Sequence, residues 1–209
     1  LAYSMGYVPK VTTVATVELD FFQQVPSKLS ASMYVPDFDY ALVIPESTQI
    51  SSNVDSTMNF IIEDAVDFQS SSSLDPTETS IYQISGVNPT YFLLKKKRKA
   101  ISATVRSQTF TFNQSIKFDT RDLISGNIIG VLDVIDSDGN VWYEVPNLAQ
   151  ENVFNSIRNT NVNDPNYSID TEVPYLLELK SVQRRFVTRF LNENTLQLQF
   201  GAGSTRNID

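Results

Sequence analysis

Three features of this sequence predict a mainly β fold, with mixed antiparallel sheets in a sandwich- or barrel-like arrangement and few short helices. Apolar and polar residues alternate at a period of two in segment after segment. The 3.6-residue period of an amphipathic helix is nearly absent. Clusters of Gly, Pro, Asn, Asp and Ser punctuate the alternating runs at short intervals.

The first run occupies positions 11–21. Val11, Ala15, Val17, Leu19 and Phe21 share one side, while Thr16, Glu18 and Asp20 face away, which describes a strand with one face buried and one face wet. Positions 1–5 before it read as the last turn of a helix that Gly6 ends. Tyr40-Ala41-Leu42-Val43-Ile44 is a short apolar run between Pro36-Asp37 and the turn at Pro45-Glu46-Ser47. Positions 48–52 and 58–62 read as further strands. Ser70-Ser71-Ser72-Ser73 is a polar loop, and Asp75-Pro76 initiates a turn. Positions 81–84 form a strand closed by Gly86-Val87-Asn88-Pro89, which divides the chain into an N-terminal β subdomain, 1–86, and a C-terminal one, 87–209.

The second half alternates more regularly. Phe110, Phe112, Ile116 and Phe118 share one side of an extended segment, with Thr109, Thr111, Asn113, Ser115 and Lys117 on the other. Positions 128–135 are apolar on both sides apart from Gly130 and Asp133, as in a central or covered strand. Asp136-Ser137-Asp138-Gly139-Asn140 turns the chain into Val141-Trp142-Tyr143-Glu144-Val145. Another hairpin joins positions 186–190 to 196–200 across Asn192-Glu193-Asn194. Asn147 with Gln150 offers a capping box for a helix over 148–157, although the apolar spacing there is poor.

The chain's 209 residues suffice to bury roughly 70% of the unfolded surface, enough for a core without staples. No apolar run approaches the ~20 residues of a membrane-spanning helix. The net charge of −8 disfavours nonspecific attraction to nucleic acid or anionic membrane. The chain contains no Cys and no His. It therefore supplies no thiol nucleophile, no thiolate or imidazole metal ligand and no Ser-His-Asp or Cys-His machine of its own. Carboxylate, Lys and Tyr chemistry and oxygen-ligated cations are what the composition leaves.

Three groups of residues invite a chemical reading. In Asp136-x-Asp138-Gly139-Asn140, the calcium-hand pattern fails at Val134 and Val145, and Asp-Gly favours a hairpin turn because Gly supplies positive φ. Lys95-Lys96-Lys97-Arg98-Lys99 is the one strong charge run. Flanked by Tyr91-Phe92-Leu93-Leu94 and Ile101-Ser102-Ala103, it belongs to a long strand that sends Lys95, Lys97 and Lys99 to one side and Lys96 and Arg98 to the other. The favoured role is protection of an exposed strand against edge pairing, ahead of contact with an acidic neighbouring subunit and of nucleic acid. Glu144 with Asp138 or Glu178 is a conceivable carboxylate pair, but acids are scattered through a chain with 24 Asp and Glu.

Several motifs carry a resemblance. A helix end, then Gly6-Tyr7-Val8-Pro9, then a strand, then Ile44-Pro45-Glu46-Ser47-Thr48-Gln49 and a following apolar strand at 58–62 resemble the baseplate J-like proteins, the wedge subunits of contractile phage tails and related injection particles. The stretch 133–145 and Leu196-Gln197-Leu198-Gln199-Phe200-Gly201-Ala202-Gly203 resemble later parts of that family, whose commoner form has Asp where Ala202 stands. The resemblance implies a structural subunit of the virion baseplate, made in the host cytoplasm. It implies a role in ring building through contacts with sister copies and other wedge subunits, and no nucleic-acid or membrane partner. It implies no enzyme activity, catalytic residue, metal or cofactor. The beginning at Leu1 and the end at Asn207-Ile208-Asp209 suggest an internal fragment of a longer chain. The alternative is a carbohydrate-binding β module of a tail fibre or surface appendage, for which Trp142 or exposed Tyr side chains would stack on sugars; Trp142, in a strand beside a tight turn, fits the core better.

Overall fold

A computed structural model describes residues 12–159 and 175–202. The segments 1–5 and Gly6-Tyr7-Val8-Pro9, Gly203, and Asn207-Ile208-Asp209 lie outside the described residues. The protein is mainly β with almost no helix, as the alternation predicts. Its strands are β1 (Thr16–Ser30), β2 (Met33–Pro36), β3 (Val43–Ile44), β4 (Gln49–Ser51), β5 (Asn59–Ile62), β6 (Val66–Asp67), β7 (Glu78–Ser85) and β8 (Asn88–Ser102). They continue as β9 (Thr120–Ile124), β10 (Val134–Ile135), β11 (Val141–Glu144), β12 (Asn152–Arg158), β13 (Tyr175–Ser181), β14 (Arg185–Asn192) and β15 (Thr195–Phe200).

The chain forms two compact units. One comprises Val14–Val105 with Arg158 and residues 175–176, and the other comprises Arg106–Ile157 and the chain from Leu177 onward. A division at 86/87 would cut a hairpin: Ser85 pairs with Asn88, and Gly86, at φ +64, makes the turn between β7 and β8. Gly-Asn-Pro clusters end strands, and here the next strand folds straight back.

The Val14–Val105 unit is organised by β8. On one side β8 runs antiparallel to β1 over a continuous register from Thr16 opposite Ile101 to Pro26 opposite Tyr91. On the other side it is shared by two strands, β5 along Ala100–Ser102 and β7 along Asn88–Lys95. β2 and β4 complete the six-stranded sheet at its flanks, and β3 and β6 form a separate two-stranded pair. Val17, Leu19 and Phe21 face inward as the alternation requires, and Val25, Ile62, Phe68, Phe92, Leu94 and Ala100 form the buried centre. The run at 40–44 forms a 3-10 turn (Phe38–Tyr40) and only a two-residue strand, because Gln23 takes over the pairing. The Gln23 amide donates to Tyr40 O at 2.8 Å and accepts from Leu42 N at 2.9 Å, replacing a strand ladder with one side chain.

The Ile-Pro-Glu-Ser-Thr segment makes a tight turn. Thr48 Oγ1 donates to Pro45 O at 2.7 Å, and Ser47 N donates to Ile62 O at 3.0 Å. Ser47 sits at φ +61, a conformation that costs an L-residue about 1 kcal/mol and glycine nothing.

The Arg106–Ile157 and Leu177-onward unit contains a five-stranded mixed sheet in the order β10-β11-β14-β15-β9, with β11 and β14 parallel and the other pairs antiparallel. Leu196, Leu198 and Phe200 alternate inward along β15. Phe200 receives Trp142 edge-on at 5.2 Å and Phe112 edge-on at 5.6 Å, with Phe186 tilted at 6.2 Å. The indole of Trp142 is thus a core element, as its place beside a turn suggests.

Three sequence expectations need correction in this unit. Positions 109–118 form no strand: Phe118 turns at φ +59, and Phe112 serves as a packing ring without joining a ladder. Positions 128–135 are not a central strand; only β10 forms, at the sheet edge, and Ile129, Leu132 and Ile135 stay exposed. No helix forms over 148–157; Gln150 N closes a turn on Asn147 O at 3.0 Å, and β12 follows. Val153, Phe154 and Ile157 are β-formers, and the poor helical spacing of the apolar residues decides against the capping signal.

Leu94 is fully buried, whereas Leu74 is 96% exposed. Leu94→Ala is expected to cost about 3 kcal/mol in urea denaturation and Leu74→Ala less than about 0.5 kcal/mol. Ser47→Gly is expected to raise stability by about 0.5–1 kcal/mol, since it relieves the positive φ of the turn.

Candidate functional site

The basic run lies in the middle of β8. The predicted split holds: Lys96 and Arg98 point to the core side, with Lys97 and Lys99 exposed on the other. The expected role in edge protection does not hold, because β8 is interior. Its second side passes from β5 to β7 across residues 96–98, and there Asp75 closes the gap. Arg98 grips the Asp75 carboxylate with two donors, Nη1 to Oδ1 at 2.8 Å and Nη2 to Oδ2 at 2.7 Å. Lys96 Nζ donates to Oδ2 at 2.6 Å and to the Asp75 carbonyl at 3.3 Å. Arg98 Nε also donates to Ala65 O at 2.7 Å.

Lys96 is 1% exposed, so its charge has no water to fall back on and depends on this partner. Burial pushes the Asp75 carboxyl up, but hydrogen bonds from Arg98 and Lys96 outweigh it and hold it below its usual value of 3.8. On the outer side the lysines meet acids. Lys95 approaches Asp20 at 3.4 Å and Glu78 at 3.8 Å, Lys99 pairs with Glu63 at 3.1 Å, and Lys97 stands opposite Asp20 in the register. Four of the five cations of a strand that reads as a cationic patch are thus held in ion pairs, which leaves Lys97 as the one without an acid partner among the described residues.

Asp67 is a buried acid, at 2% exposure, that pattern reading passed over. It accepts from Gln69 N at 2.8 Å and from the Tyr175 hydroxyl at 2.8 Å, with Arg158 Nη1 at 3.7 Å. Burial first, and then the bond to Asp67, push the Tyr175 hydroxyl up to about 12, so it remains a donor throughout the neutral range. The available signal was an acid inside the apolar run Ala65-Val66-Asp67-Phe68.

The 136–140 segment is a hairpin turn with Gly139 at φ +82. Asp136 accepts from Asp138 N at 3.1 Å, Asn140 N at 2.9 Å, Asn140 Nδ2 at 3.0 Å and Trp142 Nε1 at 3.4 Å. The Asn140 backbone N–H, foremost among these donors, holds the Asp136 carboxyl below its usual value despite burial. Glu144 accepts from the Thr188 hydroxyl, Asp138 stands on the exposed hairpin, and Glu178 lies exposed in β13; no contact joins these three acids. Among the described residues no three His, Cys, Asp or Glu side chains gather as a metal site would require.

A cleft of about 480 Å³ opens beside this hairpin, lined by Tyr143 and the 180–184 segment among others. Lys180 Nζ donates to the Tyr143 hydroxyl at 2.6 Å. Large apolar side chains are exposed elsewhere as well. β7 and β13 are exposed along their whole lengths, and Ile81, Tyr82, Ile84, Leu177 and Leu179 are each more than half exposed. No protein-family model, curated protein or solved structure matches the chain.

Removing Asp75 strands a buried ammonium. Asp75→Ala is expected to cost about 2–3 kcal/mol, below the usual loss for a broken buried pair because the carboxylate itself is partly exposed. Lys96→Met, which removes the charge and keeps the volume, is expected to cost less than about 1 kcal/mol. The depressed Asp75 carboxyl stabilises the fold at pH above its ordinary value, and that contribution is lost as pH falls through 3.8 towards the depressed value. Urea midpoints measured between neutral pH and pH 3 should show a steeper acid-side loss for the wild type than for Asp75→Ala.

Proposed function

We propose that this chain is a structural subunit whose work is assembly, in the manner of a contractile-tail baseplate wedge. One observation carries this reading: whole strands, β7 and β13, lie exposed with their large apolar side chains. Scattered exposed leucines are ordinary, but continuous exposed apolar strands are a mark of surfaces meant to be covered. Among the described residues β7 pairs with β8 on one side alone, and Glu78 is its one charged residue, so little on it deters a pairing partner. The second unit has a small buried centre of Phe186, Leu198 and Phe200, as fits a part stabilised further by its neighbours.

Two further points favour assembly. The turn at Pro45-Glu46-Ser47-Thr48, which belongs to the wedge resemblance, is a built element tied to β5. Asp75, Lys96 and Arg98 are used in an ion triad and Asp136 in a turn, and Trp142, the residue best suited to stack on a sugar, is packed against Phe200. Ring-forming interfaces bury on the order of 1,600 Å² or more, an area that exposed strands of this kind can supply.

Electron microscopy of the native particle, with the chain located by a bound antibody fragment, is the test. The assembly reading expects it in a ring of repeated copies at the baseplate, with β7 or β13 covered by another subunit. Its location at the distal tip of a fibre, or outside any particle, would contradict the reading and promote the glycan-binding alternative.

A further inference from the structure

We infer that the cleft between Tyr143 and the 180–184 segment receives a carboxylate side chain from an extended acidic segment of another subunit. The cleft is a cationic site on an acidic chain. Lys180 and Arg184 both line it, within a protein of net charge −8. An ammonium has three donors, and Lys180 spends one on the Tyr143 hydroxyl at 2.6 Å while its charge lies 4.9 Å over the Tyr143 ring. That contact fixes the head of the side chain at the cleft without neutralising it. Glu178, two residues earlier, forms no ion pair with it, nor does any other acid among the described residues.

Arg184 is similarly under-used. It approaches Asp136 with Nε at 3.4 Å, and Asp136 is already accepting from two backbone amides, an Asn side chain and the Trp142 indole. Its guanidinium makes no hydrogen bond among the described residues, so its paired donors are available to a carboxylate, the group their fork fits best. Gln183 and Ser181 add neutral polar groups at the same opening.

The form of the occupant follows from the strand beside the cleft. Lys180 belongs to β13, which among the described residues pairs with β12 alone and exposes Leu177 and Leu179. An extended segment laid along β13 gains backbone hydrogen bonds from the free edge and covers those leucines, and an acid on it reaches Lys180 and Arg184. Charge complementarity selects an acidic segment, and a second copy of this chain, at net charge −8, supplies one. The inference rests on the assembly reading only for the source of that segment.

The test uses the intact chain and a short fluorescein-labelled peptide alternating valine and glutamate, followed by fluorescence anisotropy at low and moderate salt. The peptide is expected to bind, and its glutamine counterpart to bind roughly tenfold or more weakly. Lys180→Gln and Arg184→Gln should each weaken binding by a similar factor, while Lys97→Gln, an exposed lysine of the other unit, should leave it unchanged. Urea midpoints of the variants establish that they fold, and the glutamine peptide on the unaltered protein tests the charge contact independently of them. Equal binding of both peptides, an equal loss from Lys97→Gln, or binding of an oligogalacturonate with none of the peptide would overturn the inference. Peptide binding as expected, with the chain found outside any particle, would leave this site standing and remove the assembly reading alone.

Discussion

A buried ammonium in the middle of a sheet constrains everything around it. Lys96 occupies an inward position of β8, between Leu94 and Ala100, where an apolar residue is the ordinary choice. The fold is tenable only because Asp75 reaches the same point and Arg98 locks that carboxylate in place with two further hydrogen bonds. This fixes where the 64–77 segment must return, and therefore where β5 stops and β7 begins along β8. The ion triad thus ties the 64–77 segment to β8 through side chains, at the point where neither β5 nor β7 pairs with it. Replacement by apolar side chains of similar size would be tolerated energetically; loss of one partner would not.

The same economy explains the exposed strands. β8 offers its edge to β7 over eight residues, but nothing in the chain's described residues covers the far side of β7. The mixed sheet of the other unit closes one face around Phe200 and leaves β13 outside it. The chain buries its aromatics where the core needs them and leaves Ile81, Tyr82, Leu177 and Leu179 to solvent, the exposure on which the proposal of assembly rests. Cation placement agrees with this. In the first unit Lys95 and Lys99 of β8 pair with Asp20, Glu78 and Glu63, whereas Lys180 and Arg184 retain unspent donors.

The sequence was most informative where alternation and turn chemistry coincide. Val17, Leu19 and Phe21 point inward, Asp138-Gly139 makes a hairpin, and Leu196, Leu198 and Phe200 line a core, all as their period and neighbours require. It failed where alternation had no partner strand: Phe110 and Phe112 keep the pattern, but a ladder needs a second chain segment that pattern alone does not provide. The division into units was hidden because the chain leaves and re-enters them, and no composition shift marks Val105 to Arg106. The triad was half legible. The outward and inward lysines follow from strand geometry, but the partnership of Asp75 with Lys96 spans twenty-one residues and depends on the path of a loop. The cleft left no pattern at all, since Tyr143 and Lys180 meet only through tertiary folding.

If the proposal of assembly holds, a β8-centred framework flanked by strands paired on one side has a distinct exchange signature. Hydrogen exchange followed by mass spectrometry, on the isolated protein and on its native assembly, reads it out segment by segment. Slow exchange is expected through Leu93–Ala100 in both states, including residues 96–98 beside the triad, and fast exchange of β7 and β13 in isolation should become slow in the assembly. Rapid exchange at residues 96–98 in the isolated protein, or β7 and β13 amides that exchange equally fast in both states, would contradict this picture of the molecule.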